Sequence, residues 1–398
     1  MKPYILLLTL IVGAGPWFPE TGRAQGSFDP EIAEMISHVS DSAMHQTISD
    51  LQGFGTRYSY ASTRDTVARW IKGRFEAVGI SEVYLDAFTL SNVVYNVVAT
   101  IHGNSPTGAE IVIGAHYDSY SQTPMVLAPG ADDNASGTSA VIELARVISG
   151  LGYKPQLTLH FIAFTGEEQG LLGSKSYAQK ASNNGRDIRA MLNFDQIGCR
   201  DLGSPYVSII WYEGAEELRD LDMAVIPQYT ALGSSLSTEP RSRSDSYSFA
   251  TQGYRAIWWL GQGTPFYHTT YDLLAYLDVP YAAEIARAAL AFLLTFDKMT
   301  VGIQPVAETL PNSAHLYQNY PNPFNPTTQI QFTIANRQLT IVKVFDLLGR
   351  EVTTLVNEVR SPGTYTVDFD GSNLSSGVYI YRLQAGDFVQ TKKLVILR

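Results

Sequence analysis

The sequence reads as an α/β sandwich followed by a small all-β domain. Three observations predict this. Continuous apolar strand-like runs alternate with amphipathic helical patterns up to about residue 300. A Pro- and Asn-rich stretch, "GIQPVAETLPNSAHLYQNYPNPFNPTTQ" (302–329), then interrupts any helical period. Beyond it, short alternating strands separated by Gly, Asn and Ser turns continue to Arg398.

At the N-terminus, "MKPYILLLTLIVGAGPWFPETGRAQG" has one Lys, a short apolar run and then small residues. It predicts a secretory signal over 1–24 with cleavage after Ala24, the run being too short to span a bilayer. Residues 29–55 predict one or two amphipathic helices. In "STRDTVARWIKGRFEAVGI" (62–80), Val67, Ile71 and Phe75 recur at a spacing of four, with Ser62 as the expected cap. "NVVYNVVATIHG", "EIVIGAHYDS", "QLTLHFIAFTG", "IRAMLNFDQIG", "YVSIIWY" and "RAIWWL" predict strands. Helices are expected over 134–149, near 169–181 and through 279–299. Continuous rather than alternating apolar strands imply a sheet covered by helices on both faces. In the tail, "TQIQFTIA", "QLTIVKVFDL", "GTYTVDFDG", "GVYIYRLQAG" and "FVQTKKLVIL" predict an antiparallel sandwich.

The chain has 398 residues, long enough for two domains at roughly 100–200 residues each. The expected division is a signal over 1–24, a main domain over 25–300, a linker over 301–316 and a β-sandwich over 317–398. A formal charge of −10 speaks against nucleic-acid binding, which leaves a basic footprint. The single cysteine, Cys199, excludes an intrachain disulfide, so an exported form must be stabilised by its core or by bound ions. No transmembrane segment and no oligomer is expected; the mature protein reads as a monomer.

Chemistry-bearing residues fall at strand ends and in the turns that follow. These are His116 and Asp118 in "GAHYDS", Asp132 and Asp133 in "PGADDNASG", Glu167 and Glu168 in "FTGEEQG", Asp195 in "NFDQIG" and His268 in "YHTTYD". In open α/β sheets ligands bind at the carboxyl ends of the strands. Each residue alone has an ordinary explanation: a surface histidine, a helix cap, a solvated acidic pair. Their shared placement favours a site. Mixed imidazole and carboxylate donors suit Zn²⁺, with Mn²⁺ or Co²⁺ as alternatives. Two histidines among several carboxylates suggest two ions sharing one bridging carboxylate, and an acid left beside a ligand would serve as general base.

Those five segments, in that order, resemble peptidase family M28, zinc peptidases whose secreted aminopeptidases carry two zincs, over roughly residues 48–298. The resemblance implies a three-layer α/β/α sandwich around a mixed central sheet and hydrolysis of N-terminal residues from peptides. It implies two Zn²⁺ per chain, with Asp132 bridging, His116 and Asp195 completing one site, and Glu168 and His268 the other. Glu167 would be the general base, Asp118 would orient His116, and Asp133 would lock the turn through a cis Asp132–Asp133 bond. In "SRSDSYSFA" (242–250), Ser246 stands where the family usually has His, which bears on selectivity or rate. Tyr247, Phe249 and Tyr267 are expected at the substrate pocket. Alternatives are a carboxypeptidase using Arg241 or Arg243, a one-zinc glutaminyl cyclase, and a non-catalytic binding module. The tail, through "LYQNYPNPFNPTTQIQFTI" and "LSSGVYIYRLQAG", resembles the C-terminal sorting domain of type IX secretion. It implies engagement of that machinery and a secreted or outer-membrane-surface location reached through the periplasm.

Overall fold

A computed structural model describes residues 28–200, 203, 205–237, 241–302, 314–319 and 321–397. The expected signal segment lies outside the described residues, as does most of the expected linker. The chain divides into two compact units, Met1–Thr300 and Val301–Arg398.

The first unit begins with α1 (Pro30–Ser37) and α2 (Asp41–Gly53), capped by the side chains of Asp29 and Ser40, which accept main-chain N–H groups. Helix α3 (Arg64–Ala77) buries Val67, Ile71 and Phe75 as their spacing requires, yet Ser62 does not cap it. Thr63 stands at the cap position, with its hydroxyl donating instead to the Thr56 carbonyl at 2.7 Å. There follow β1 (Glu82–Thr89), β2 (Val93–Ile101), β3 (Glu110–His116), α4 (Gly137–Gly150), β4 (Thr158–Phe164), α5 (Leu172–Asn183) and β5 (Ile188–Asp195). The unit closes with β6 (Tyr206–Trp211), α6 (Glu216–Tyr229), β7 (Gly233–Leu236), α7 (Ser246–Ala250), β8 (Ala256–Leu260) and α8 (Val279–Gly302).

The eight strands form one mixed sheet in the order β1-β2-β4-β3-β5-β8-β6-β7. At its centre β4, β3, β5 and β8 run parallel, so their carboxyl ends share one edge. Both faces are covered, as the continuous apolar runs predict. Ile111, Ile113, Leu159 and Phe161 join one core with α1–α4, α6 and α8. The intervening Val112 and Ile162 join a second core with Tyr177 of α5 and Phe249 of α7. Helix α8 is long and apolar enough to cross a bilayer, but its residues are buried in the first core. Its Asp297 accepts the main-chain N–H groups of Gln156 and Leu157, tying the helix to the start of β4.

Two strands of this unit escape the sequence pattern. Strand β1 alternates between exposed and half-buried positions at the sheet edge, and β7 is four residues long. Neither carries the buried run that marks the central strands.

The second unit is all antiparallel β. One sheet pairs β13 (Gly363–Asp370), β10 (Thr327–Ile334) and β9 (His315–Leu316). The other pairs β12 (Glu351–Arg360), β11 (Gln338–Phe345), β14 (Gly377–Ala385) and β15 (Phe388–Ile396). Leu316, Ile330, Phe332, Val342, Val344, Leu383 and Leu394 form their shared core. The buried Tyr381 hydroxyl donates to the Tyr317 carbonyl at 2.7 Å and accepts the Asn319 N–H at 2.8 Å, anchoring the Pro/Asn-rich entry. Strand β9 already pairs with Phe332 and Thr333, just ahead of the expected start of this domain. Strand β12 has one buried side chain, Val356, which explains why its sequence carries no strand signal.

Candidate metal centre

The central parallel strands deliver the candidate residues to one edge. His116 ends β3 and Asp195 ends β5; Glu167 and Glu168 follow β4, and His268 lies in the loop after β8. His116 and Asp195 are almost wholly buried, so they project into the interior and not into solvent. Among the described residues of the first unit, three that are not glycine have left-handed backbones, Leu171, Gln196 and His268, and all belong to these loops. Such strained conformations persist where surrounding structure enforces them.

Between β3 and α4 the chain makes an irregular turn over Ala131–Ser136, and here the structure corrects the sequence reading. Asp133, not Asp132, stands between the two histidines. Its Oδ1 lies 3.4 Å from His116 Nε2 and its Oδ2 3.3 Å from His268 Nε2. The Asp132 carboxylate turns away, accepting the Gly198 N–H at 2.7 Å and the Ser136 hydroxyl at 3.3 Å. The cis peptide joins Asp133 to Asn134, one residue beyond the expected bond. Asn134 does the locking: its side chain donates to the Phe194 carbonyl and accepts the Gly137 N–H at the start of α4. Gly130 opens the turn with φ +52°, where a Cβ would sit 2.6 Å from Ser119 Cβ and 2.9 Å from Arg57 Nη2.

Two groups of donors result. His116, Glu167 and Asp195 form one, and Asp133, Glu168 and His268 the other, with donor atoms inside each group within 4.8 Å of one another. Asp133 also reaches the first group through His116. Each group can hold a metal ion, and the residues fit one. Glu168 Oε1 is buried without a hydrogen-bond partner, and His268 Nε2 faces only carboxylates, Glu168 Oε2 at 2.9 Å and Asp133 Oδ2 at 3.3 Å. Four carboxylates lie together among two imidazoles, a density of buried charge that cations relieve.

The titration behaviour reflects the same crowding. Burial pushes Glu167 well above the usual carboxylate range. Burial and the neighbouring Asp133 charge push Glu168 up to about 8. Against the effect of burial, the Asp195 and Glu167 carboxylates raise His116 well above its ordinary value. Also against burial, hydrogen bonding to His116 and His268 brings Asp133 down to about 2.

Asp118 contacts both His116 and the acidic pair. His116 Nδ1 lies 3.1 Å from the Asp118 main-chain oxygen, closer than the 3.6 Å to its carboxylate. That carboxylate accepts the N–H groups of Glu167 and Glu168, at 3.2 and 3.4 Å, and the Ser59 hydroxyl. It therefore fixes the acidic pair at least as much as the imidazole.

Several residues here went unrecognised in the sequence. Asp272 accepts both turn N–H groups, from Asp132 at 2.8 Å and Asp133 at 2.9 Å. Arg57 is fully buried and donates to the carbonyls of Leu51, Tyr117, Pro129 and Gly130. Ser244 donates to Asp195 at 2.6 Å and accepts from Asn193. Asp272 was in view within "YHTTYD"; a lone Arg in a Gly/Thr loop gives no signal.

The expected pocket residues separate. Phe249 is fully buried against Phe164, Tyr177 and Tyr254, a core residue and not a pocket wall. Tyr247 is partly buried on the same core and faces Tyr212. Ser246 is buried with its hydroxyl 2.8 Å from that of Tyr212. Tyr267 is 53% exposed and stacks on His268 at 3.7 Å, and burial together with the Asp133 and Glu168 charges raises its phenol's pKa.

Comparison with known proteins agrees with this geometry. Residues 318–397 match the secretion system C-terminal sorting domain. Residues 96–293 match the model of peptidase family M28. A probable leucine aminopeptidase of Trichophyton verrucosum is 31% identical over 277 residues, covering 66% of this chain and 73% of that one. A probable zinc metalloprotease of Pyrenophora teres f. teres is 36% identical over 194 residues, 43% of this chain and 41% of its own. Among solved structures, the Legionella pneumophila LapA aminopeptidase superposes with a TM-score of 0.60 at 23% identity, covering 67% of this chain and 75% of that one. The glutaminyl cyclase of Fimbriiglobus ruber does so at 0.56 and 16% identity, covering 65% and 95%. Fold alone therefore does not choose the reaction. The run of matching segments, the carboxylate between two histidines and the shared sequence together place this chain in peptidase family M28, with a secretion sorting domain at its C-terminal end.

Proposed function

We propose that the protein is a secreted dizinc aminopeptidase that removes N-terminal residues from peptides. The observation that carries this reading is Asp133, poised between His116 and His268, each within reach of its own further carboxylates. His116, Asp133 and Asp195 would hold one zinc; Asp133, Glu168 and His268 the other. Zinc bound there would polarise the scissile carbonyl and make a water nucleophilic near neutral pH.

The chain's own residues supply the rest. Glu167, whose affinity for a proton is raised by its burial, accepts as a carboxylate the proton of the attacking water and then, as the acid so formed, delivers it to the departing amine. Asp118 holds the main chain of Glu167 and Glu168, so that one side chain serves as ligand while its neighbour remains free to exchange protons. Tyr267, beside these carboxylates, is positioned to contact the substrate. Residues 25–300 form the catalytic part. The domain that begins near residue 314 directs export, with a passage through the periplasm and the type IX machinery as its partner.

Glu167→Gln and Glu168→Gln test the assignment. The first should lower kcat by about 10²–10⁴-fold on leucine amide with both ions retained. The second should lower zinc content, and added zinc should restore part of its activity. Near-normal turnover by the Glu167 variant would refute its role. Cleavage restricted to peptides with a free C-terminus would refute the aminopeptidase reading in favour of a carboxypeptidase.

A further inference from the structure

Beside the His268 group lies a cluster of tyrosines that the chemistry does not use. Tyr120 meets the His268 ring edge-on at 5.1 Å. Tyr58 packs 5.9 Å from Tyr120, and Tyr60 5.5 Å from Tyr58. The outer members face solvent: Tyr60 is 38% and Tyr120 36% exposed. Contiguous exposed aromatic surface at a reaction centre marks a binding surface and not a core.

An enzyme that removes one residue from a chain of any length needs two unlike neighbourhoods. One encloses the side chain of the terminal residue; the other stays open, because the remaining peptide must leave across it. The tyrosine cluster, with its outer rings exposed, has the character of the second. The open tyrosine cluster adjoins His268. Its placement is held by the loop that carries Tyr120, where Thr56 donates to the Pro124 carbonyl and Gln122 to the Thr270 hydroxyl.

We propose that Tyr58, Tyr60 and Tyr120 form a subsite for an aromatic or bulky aliphatic side chain on the residue that follows the scissile bond. The inference rests on the aminopeptidase reading above and adds a selectivity on the leaving side. Rings can stack on an incoming ring in offset or edge-to-face geometry, whereas glycine at that position offers nothing to hold.

The test compares kcat/KM for Leu-Phe-amide and Leu-Gly-amide with the zinc-loaded, full-length protein. The wild type should prefer the phenylalanine substrate by about threefold to tenfold, the worth of one aromatic pair. Tyr120→Ala and Tyr60→Ala should each bring that ratio towards one, mainly through KM, and Tyr120→Phe should retain it. Because the ratio is taken within each variant, an overall loss of turnover cancels. A wild-type ratio near one, or an undiminished ratio in both alanine variants, would overturn the subsite while leaving the aminopeptidase intact. Failure to release leucine from either peptide and from leucine amide would overturn both.

Discussion

Asp272→Asn isolates how the turn bearing Asp133 is held. The carboxylate accepts two buried main-chain N–H groups, one on each oxygen, at 2.8 and 2.9 Å. Burial pushes Asp272 up to about 6, and the two N–H groups oppose that shift, so near neutral pH it accepts both bonds as an anion. Asparagine offers a single oxygen. One bond survives with a neutral acceptor, at a loss of about 1 kcal/mol, and the other N–H then faces an amide donor, leaving it unsatisfied at about 1–3 kcal/mol. Arg57, drawn down to about 10 by burial, also loses the first of the carboxylates that support its charge. The expected destabilisation is about 2–4 kcal/mol, which corresponds to roughly 4–16 °C in Tm for a domain of this size. Displacement of Asp133 should weaken zinc about 10- to 100-fold, the usual effect of removing a group that orients a ligand. Scanning calorimetry of the metal-free protein measures the first quantity, and titration against a chromophoric chelator the second. An unchanged Tm together with unchanged zinc affinity would refute the argument that Asp272 sets this turn.

Asp133→Asn should abolish or sharply weaken both ions, whereas Asp132→Asn should leave two ions bound and cost stability instead; elemental analysis of both variants decides between the neighbours. Asp222, fully buried on α6, is raised well above the ordinary carboxyl range by burial. A carboxyl whose folded pKa is raised contributes stability in full below its unfolded value near 3.8, and loses it as the pH rises through the folded value. Asp222→Asn should therefore stabilise the protein more at pH 8 than at pH 4 in denaturant titrations, and an equal gain at both would contradict this. A chain ended at Gly302 should fold, bind two ions and retain its rate on leucine amide, since every metal-centre residue lies in the first unit; a soluble, folded truncation without activity would show the tail to be needed.

Much of the centre could be read from the sequence because strand ends are legible. His116 and Asp195 close continuous apolar runs, and Glu167 and Glu168 follow another, so the strand pattern itself points to them. The turn at Asp132–Asp133 was not legible to the residue. Two identical side chains stand side by side, and which of them faces inward depends on the dihedrals of the turn: Asp133 at φ −109°, ψ 87° and Asn134 at φ −138°, ψ 53°. Local composition carries no trace of that choice. Phe249 shows the converse difficulty, because an aromatic on a short helix looks the same in sequence whether it lines a pocket or fills a core. The residues that hold the ligands, Arg57, Ser244 and Asp272, act across long sequence separations and emerge only when the loops are brought together.

The mounting of the donors on neighbouring parallel strands has a consequence for how this protein can change. Adjacent strands are spaced about 4.8 Å apart by their own hydrogen bonds. The sheet thus serves as a ruler whose graduations fix the separation of His116 from Asp195, whatever the loops do. The surfaces that would choose a substrate, by contrast, hang from those loops. Peptide preference can therefore drift, or be grafted from one chain to another, while the spacing on which the chemistry depends is inherited unaltered.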